Sequence, residues 1–257
     1  MTVAIIGFGK MGKLYDRLLC ASYIVDILPV YNRVYFSQLE EFIYYGPKID
    51  IAIVATPTPS HSNNSKLLLE SGYNVLCEKP ICFSSDEVKE LEKVAKRKGL
   101  LFYQSTLERY NPVIKYFIKH IPLSVIDHIE SYRFGKQPPW GYACDPLYDL
   151  GIHDVDLWFY LTHKKIPWKL WCGYGIQRRE IIIYFKRKDK IILDLFHKSV
   201  IINDKTIYVS NTPDSNPIIE MVSDLIDKKK FMNEQWSQEI KCIEQSEGNG
   251  LIDLKTN

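Results

Sequence analysis

The first hundred residues repeat one pattern: a short apolar run, a turn, then apolar positions at helical spacing. Val3, Ala4, Ile5 and Ile6 are unbroken and bulky, as in a strand buried on both faces of a parallel sheet. Met11, Leu14, Tyr15, Leu18 and Leu19 follow at helical period, and Tyr23, Ile24 and Val25 return to strand character. Residues 50–56 read as the next strand, 60–71 as a helix closed by Gly72, and 74–78 as another strand. Ser84 and Glu87 make a capping box before a helix carrying Val88, Leu91, Val94 and Ala95, which Gly99 stops ahead of a strand at 100–103. This rhythm, continuing to about residue 120, predicts an α/β fold built on a doubly wound parallel sheet. Ligands of such a sheet gather at the carboxyl ends of its strands.

The second half is richer in strands. Residues 129–134, 169–172, 180–185 and 191–197 are β-branched or alternating. Residues 200–202 and 206–209 flank Asn203, Asp204 and Lys205, the makings of a tight hairpin. Asn216 caps a helix with Pro217 at its first position and Ile218, Met221, Val222, Leu225 and Ile226 as its apolar stripe. Trp236, Ile240 and Ile243 suggest a last helix, and the tail from Ser246 is expected to be loose. No internal repeat or low-complexity linker interrupts the chain.

Candidate chemistry lies at the strand ends. Gly7, Phe8, Gly9, Lys10, Met11 and Gly12 give the spacing GxGxxG between a strand and a helix. Gly7 permits the tight turn, Gly9 lets backbone approach a pyrophosphate, and Gly12 lets helix and strand pack closely. The helix N-terminus offers unpaired N–H groups to the phosphates. Asp26, about 20 residues further on, is the acidic residue that would read the adenosine ribose, favouring NAD over NADP. Arg33 keeps NADP open, because a nearby guanidinium could pair with a 2′-phosphate. Thr56, Pro57, Thr58, Pro59, Ser60 and His61 form a stiff loop lining the cofactor groove, with Ser60 able to cap the next helix. Glu78, Lys79 and Pro80 end the following strand. The Lys79 ammonium, held there, can bind a substrate oxygen and stabilise alkoxide charge; otherwise it is a surface Lys-Pro turn. The expected cofactor-binding set is therefore Gly7, Phe8, Gly9, Lys10, Met11, Gly12, Asp26, Thr56, Pro57, His61 and Glu78.

The run from 149 to 156 carries a second kind of signal. It heads an amphipathic helix on which Leu150, Leu157, Trp158 and Leu161 would face a core. Asp149 and His153 are four apart, so on a helix they share one face. A carboxylate beside an imidazole orients the ring and raises its basicity, which suits proton transfer.

Composition narrows the classes. With 257 residues, 46% of them hydrophobic, the chain suits two modest domains, divided here as 1–121 and 122–257. Lys and Arg number 33 against 31 Asp and Glu, a net charge of +2 that gives no reason to invoke nucleic acid. The basic runs at 186–190 and 228–230 are short enough to be solvated turns and helix ends. Cys20, Cys77, Cys82, Cys144, Cys172 and Cys242 show no metal-ligand spacing, so no metal site is expected and reduced thiols are. The chain starts in a strand without a signal peptide and has no apolar stretch of bilayer length, so a soluble cytoplasmic protein is expected.

The N-terminal fingerprint, the ATPTPSH loop, the EKP triplet and the DxGxHxxD helix, in this order, resemble the Gfo/Idh/MocA oxidoreductases. The resemblance covers nearly the whole chain. It implies an NAD(P)-binding Rossmann domain followed by an α/β domain with a mostly antiparallel sheet. It makes Lys79 the EKP lysine, with Asp149 and His153 completing a catalytic set, and implies a cis Lys79–Pro80 peptide. Glu108, Arg109, Tyr110, Asn111 and Pro112 resemble the segment leading into the second domain. The implied reaction is hydride transfer between a nicotinamide and a secondary alcohol or ketone of a sugar, cyclitol or nucleotide-linked sugar. Either His153 or Lys79 carries the proton, and Asp156 either shapes the substrate pocket or packs. An imine or biliverdin-type reductase and a non-catalytic cofactor-binding regulator are the alternatives. Homo-oligomerisation through the open sheet face is also implied. Two departures bear on the substrate: short stretches before Asp50 and after His163, and Ala143 to Tyr148 in place of the usual glycine cluster. Trp140, Tyr142 and Tyr148 either stack on a ring-shaped substrate or pack internally.

Overall fold

The computed structural model describes residues 1–46, 48–137, 144–211, 216–228, 236–246 and 250–255. Trp140, Tyr142, Ala143 and part of the 228–230 run lie outside the described residues. The fold divides into two compact units, Met1–Ser105 with Ile218–Gln238, and Thr106–Pro217 with Glu239–Asn257.

In the first unit, strands β1 (Val3–Ile6), β2 (Tyr23–Val25), β3 (Tyr35–Phe36), β4 (Ile51–Val54), β5 (Val75–Cys77) and β6 (Phe102–Gln104) form one sheet in the order β3-β2-β1-β4-β5-β6. Every pairing is parallel. The connecting helices are α1 (Lys10–Leu19), α2 (Leu39–Tyr45), α3 (His61–Glu70) and α4 (Ser85–Lys98). All residues of β1 and β4 are buried, as their unbroken apolar composition requires. Each such Ile or Val contributes about 1.5–3 kcal/mol by leaving water. The chain order reverses between β1 and β4, opening the crevice outside their carboxyl ends. Helix α4 carries its expected cap: Ser84 Oγ accepts the Glu87 N–H at 3.4 Å, and Gly99 ends the helix at φ +66°. Ser60 does not cap α3 as expected. Its hydroxyl bonds Thr56 Oγ1 at 2.9 Å and the Pro57 carbonyl at 2.8 Å, because a short 3-10 turn over Thr58–Ser60 points it back into its own loop.

The second unit begins with a turn over Leu107–Tyr110 and α5 (Pro112–His120). Asn111 caps α5 by accepting the Val113 N–H at 3.1 Å, and its amide donates to the Leu195 carbonyl at 3.2 Å. Residues 106–121 fall in this second unit, whereas the sequence reading divides the chain at 121/122. Strands β7 (Ile126–Gly135), β8 (Trp168–Tyr174), β9 (Arg178–Phe185), β10 (Lys190–Asp194), β11 (Ser199–Ile202) and β12 (Lys205–Val209) follow, with α6 (Ile152–Thr162) between β7 and β8. Helix α7 (Asn216–Lys228) then returns the chain to the first unit from Ile218 on, and α8 (Trp236–Glu244) brings it back to the second from Glu239, ahead of β13 (Leu251–Leu254). The sheet order is β12-β11-β10-β9-β7-β8-β13, antiparallel except for the β7–β8 pair. Asn203 and Asp204 both take left-handed conformations, φ 47° and 60°, in the two-residue turn between β11 and β12. The predicted strand over 191–197 ends at Asp194, whose carboxylate accepts the N–H groups of Phe196 and His197 and bends the chain.

Two expectations need correction. Within the tail expected to be loose, Leu251–Leu254 form a strand: β13 pairs with β8 from Leu251↔Trp171 to Leu254↔Trp168, and Ile252 and Leu254 are buried. Four residues of alternation are too few to stand out without the partner strand. Nor is α6 amphipathic. It is buried on nearly every side, and Asp154 and Asp156 are buried with it because arginines neutralise them.

Candidate functional site

The glycine turn connects β1 to α1. Gly7 has φ +94°, and a Cβ there would lie 2.7 Å from the Thr56 nitrogen. A Cβ on Gly12 would collide with the Gly7 carbonyl oxygen, so this glycine sets how closely α1 approaches β1. Gly9 differs, since nothing lies within 4 Å of the place a Cβ would occupy. It is also the N-cap of α1 and supplies no side-chain cap, leaving the first N–H groups of the helix for a ligand. Phe8 is half-buried, Lys10 exposed and Met11 half-buried on this first turn.

Asp26 follows directly on β2. Its carboxylate accepts the Phe8 N–H at 2.5 Å and the Leu28 N–H at 2.8 Å, tying the acidic residue to the glycine turn. Arg33, the rival reader, pairs with Asp16 of α1 and donates to the Ala21 carbonyl at 2.9 Å. The loop after β4 is braced by His61, whose ring nitrogens lie 2.7 Å from the Thr56 carbonyl and 2.9 Å from the Pro80 carbonyl. Asn64 donates to Thr56 Oγ1 at 3.2 Å. Lys79 is half-buried just beyond β5, and the Lys79–Pro80 peptide is cis. Glu78 is buried, and its carboxylate accepts the hydroxyl proton of Tyr15 at 2.7 Å. Sequence spacing marked Tyr15 only as one of an apolar stripe; a buried tyrosine hydroxyl needs a partner, but which one is a tertiary fact.

In the second unit, the chain enters α6 through a π-helical turn over Leu147–Gly151. Asp145 starts it, accepting the Leu147 N–H at 2.8 Å. Asp149 lies within this wider turn and His153 is the second residue of α6, so they flank its junction with the α-helix instead of sharing a regular α-turn. Gly151 lets this junction sit against β8: a Cβ there would meet Cys172 Sγ and Leu170 Cδ2, each at 3.2 Å. Every residue from 150 to 158 is buried except His153, which is half-buried. Tyr174 on β8 places its hydroxyl 3.3 Å from Asp149 Oδ2 and 2.9 Å from the Cys144 carbonyl. Burial and the Asp149 charge push the Tyr174 phenol well above its usual range, so it serves Asp149 as a donor. Tyr148 is half-buried beside them in the sequence.

Charged residues that spacing alone left without roles hold α6 in place. Arg133 of β7 pairs with Asp154 and, through Nη1 at 2.9 Å, with Glu108. Arg109 grips Asp156 through Nε at 3.0 and 3.1 Å and Nη2 at 2.5 Å, and its guanidinium lies 4.6 Å from the Tyr160 ring centre. Asp156 is therefore a packing residue in this unit. Burial raises Asp154 and Asp156 above the usual carboxylate range against the pull of Arg133 and Arg109. For Glu108, burial works upward, but the charge of Arg133, its hydrogen bond and Arg179 carry it below that range. Among the described residues no His, Cys, Asp and Glu side chains group to hold a metal ion. No helix among them is long and apolar enough to cross a membrane.

A parallel sheet in 3-2-1-4-5-6 order, with a glycine turn into an uncapped helix at its switch point, defines a dinucleotide-binding Rossmann protein. Residues 25–106 match the family profile described as "Oxidoreductase family, NAD-binding Rossmann fold". Over those residues, about a third of the chain, it is similar to the Gfo/Idh/MocA family. It is 26% identical over 182 residues to scyllo-inositol 2-dehydrogenase (NADP(+)) of Bacillus subtilis, covering 60% of this chain and 49% of that protein. Matches to the first curated relatives span about a third to a half of their length, at 39%, 36% and 49%. The fold is similar to UDP-N-acetylglucosamine 3-dehydrogenase of Acidithiobacillus ferrooxidans, with TM-score 0.77, 16% identity, and coverage of 95% of this chain and 96% of that one. It is also similar to biliverdin reductase of Synechocystis, with TM-score 0.73, 13% identity, and coverage of 93% and 95%.

Proposed function

We propose that the chain is an NAD(P)-dependent oxidoreductase acting on a secondary alcohol or ketone of a sugar, cyclitol or nucleotide-linked sugar. The observation that carries this reading is His153, the one residue left accessible in an otherwise buried helix head, next to the half-buried Asp149. A half-buried imidazole at the head of a packed helix is reachable by a substrate while its backbone is held in place. The curated relatives named for inositol and nucleotide-sugar dehydrogenation support the same substrate class.

The uncapped N-terminus of α1 and the open space at Gly9 fit a dinucleotide phosphate. Gly7 to Gly12 would hold the phosphates, Asp26 the ribose, and the loops of Thr56, Pro57, His61 and Glu78 the remainder of the groove. When bound, the nicotinamide supplies the hydride acceptor or donor. The protein's own part is to move a proton. In oxidation, His153, kept in orientation by Asp149, is suited to accept a hydroxyl proton, and the Lys79 ammonium is suited to stabilise growing negative charge on an alcohol oxygen.

Both carboxylate oxygens of Asp26 already hold backbone N–H groups, and Arg33 is occupied by Asp16, which supports NAD over NADP. Fluorescence titration should find NADH bound at least about tenfold more tightly than NADPH, the size of one charge-assisted contact. Asp26→Ser should narrow that gap; tighter NADPH binding by the wild type would overturn the assignment. Turnover of a polyol or sugar panel tests the activity, and cofactor binding without turnover would favour a regulator. Bleaching of biliverdin with NAD(P)H would favour a bilin reductase.

The open face of the second sheet supports a homo-oligomer. Tyr132 and Trp171 stack there at 4.9 Å, His128 and Tyr184 at 4.4 Å, and Arg178 lies 3.9 Å over Tyr132. Light scattering should return a multiple of the 30.0 kDa chain mass, and Trp171→Glu should lower it. A wild-type monomer at working concentration would remove this part of the proposal.

A further inference from the structure

The backbone on both sides of Lys79 is pinned. Before it, Glu78 Oε1 accepts the Tyr15 hydroxyl at 2.7 Å, while Oε2 accepts the Lys79 N–H at 3.2 Å. After it, the Pro80 carbonyl lies 2.9 Å from His61 Nδ1. Tyr15 is fully buried in α1, three residues beyond Gly12, and its oxygen also lies 3.1 Å from Ser105 Oγ. Burial, reinforced by the Glu78 charge, raises its phenol well above the usual range and keeps it a donor.

We infer that Tyr15 is a positioning residue, holding Glu78 so that the helix whose N-terminus receives the phosphates also sets the place of Lys79. This rests on the proposed role of Lys79 at the reacting oxygen. Tyr15 touches neither substrate nor cofactor in this scheme. It acts through a bond between a neutral donor and a buried carboxylate, of a kind worth about 1.5–3 kcal/mol. Both oxygens of that carboxylate are engaged, so loss of the Tyr15 bond frees Glu78 to turn and releases the Lys79 N–H with it.

The test has one arm independent of turnover. Full-length protein is pulse-acetylated at fixed pH, and modification of each lysine is followed by mass spectrometry. Tyr15→Phe should raise the Lys79 rate by about threefold or more through local opening, with the exposed Lys93 as an unchanged reference. Glu78→Gln should give a similar rise, and adding Tyr15→Phe to it should change little more, as expected for two residues acting through one bond. A folded Tyr15→Phe protein with unchanged Lys79 modification would overturn the inference. If that variant fails to fold, unchanged modification in Glu78→Gln does the same. On the best substrate, Tyr15→Phe should lower kcat by about tenfold, the equivalent of one hydrogen bond, with KM for the nicotinamide cofactor unchanged. Absence of any wild-type turnover would count against the functional reading alone, because the acetylation arm still decides for or against Tyr15.

Discussion

Lys79→Ala and His153→Ala are each expected to lower kcat by about 10²–10⁴, the range for a lost proton-transfer or charge-stabilising group, while leaving NADH affinity within about twofold. Steady-state rates on the best substrate, paired with fluorescence titration, give both numbers. The split follows from location. The residues suited to the phosphates and the ribose lie on the glycine turn and at the end of β2, and neither Lys79 nor His153 belongs to those segments. Asp149→Asn should fall between these variants and the wild type, since it alters the tautomer and basicity of the imidazole without removing it. Parallel loss of cofactor binding and of thermal stability in both alanine variants would instead mean that they hold the fold.

The largest effect on stability is expected at Arg133, which pairs with Asp154 and Glu108. Arg133→Met should cost about 3–5 kcal/mol, the penalty for leaving buried charges without their partner. For a chain of this size that is a fall of roughly 6–20 °C in Tm, readable by calorimetry or circular dichroism. The variant strands both Asp154 and Glu108, which share this guanidinium. The pH dependence carries a sign that separates this cause from lost packing. In the wild type, Glu108 lies below the usual carboxylate range, so its stabilising contribution is present at neutral pH and is lost as pH falls through that lowered value. Without Arg133, both carboxylates rise by burial, so the penalty is full at neutral pH and eases as acid protonates them. The stability gap between variant and wild type should therefore narrow from pH 8 to pH 5. A gap independent of pH would assign the loss to packing.

Much of the first unit could be read from residues in order. Strands β1 and β4 are unbroken apolar runs, the Ser84–Glu87 cap is a local hydrogen bond, and the glycine turn needs only its neighbours to be intelligible. Strand β3 and helix α2 leave little trace in the sequence because they are two and seven residues long and held by an aromatic cluster of Tyr23, Phe36, Phe42 and Tyr73 drawn from four places in the chain. The amphipathic reading of 149–161 failed for a related reason. Buried Asp154 and Asp156 look like a polar face until the arginines that neutralise them, 21 and 47 residues away in sequence, are known.

The sequence by itself determined what depends on near neighbours: the strand–turn–helix order, the glycine spacing, the acidic residue after β2, and the proximity of Asp149 to His153 along the chain. Periodicity, capping and turn chemistry act over a few residues, and a few residues are enough to read them. Tertiary structure alone decided which polar groups those elements could bury. Tyr15 met Glu78, Arg133 met Asp154 and Glu108, Asp26 met the glycine turn, and β13 found β8. Each joins segments brought together only by folding, and each satisfies a hydrogen bond or charge whose burial would otherwise be prohibitive.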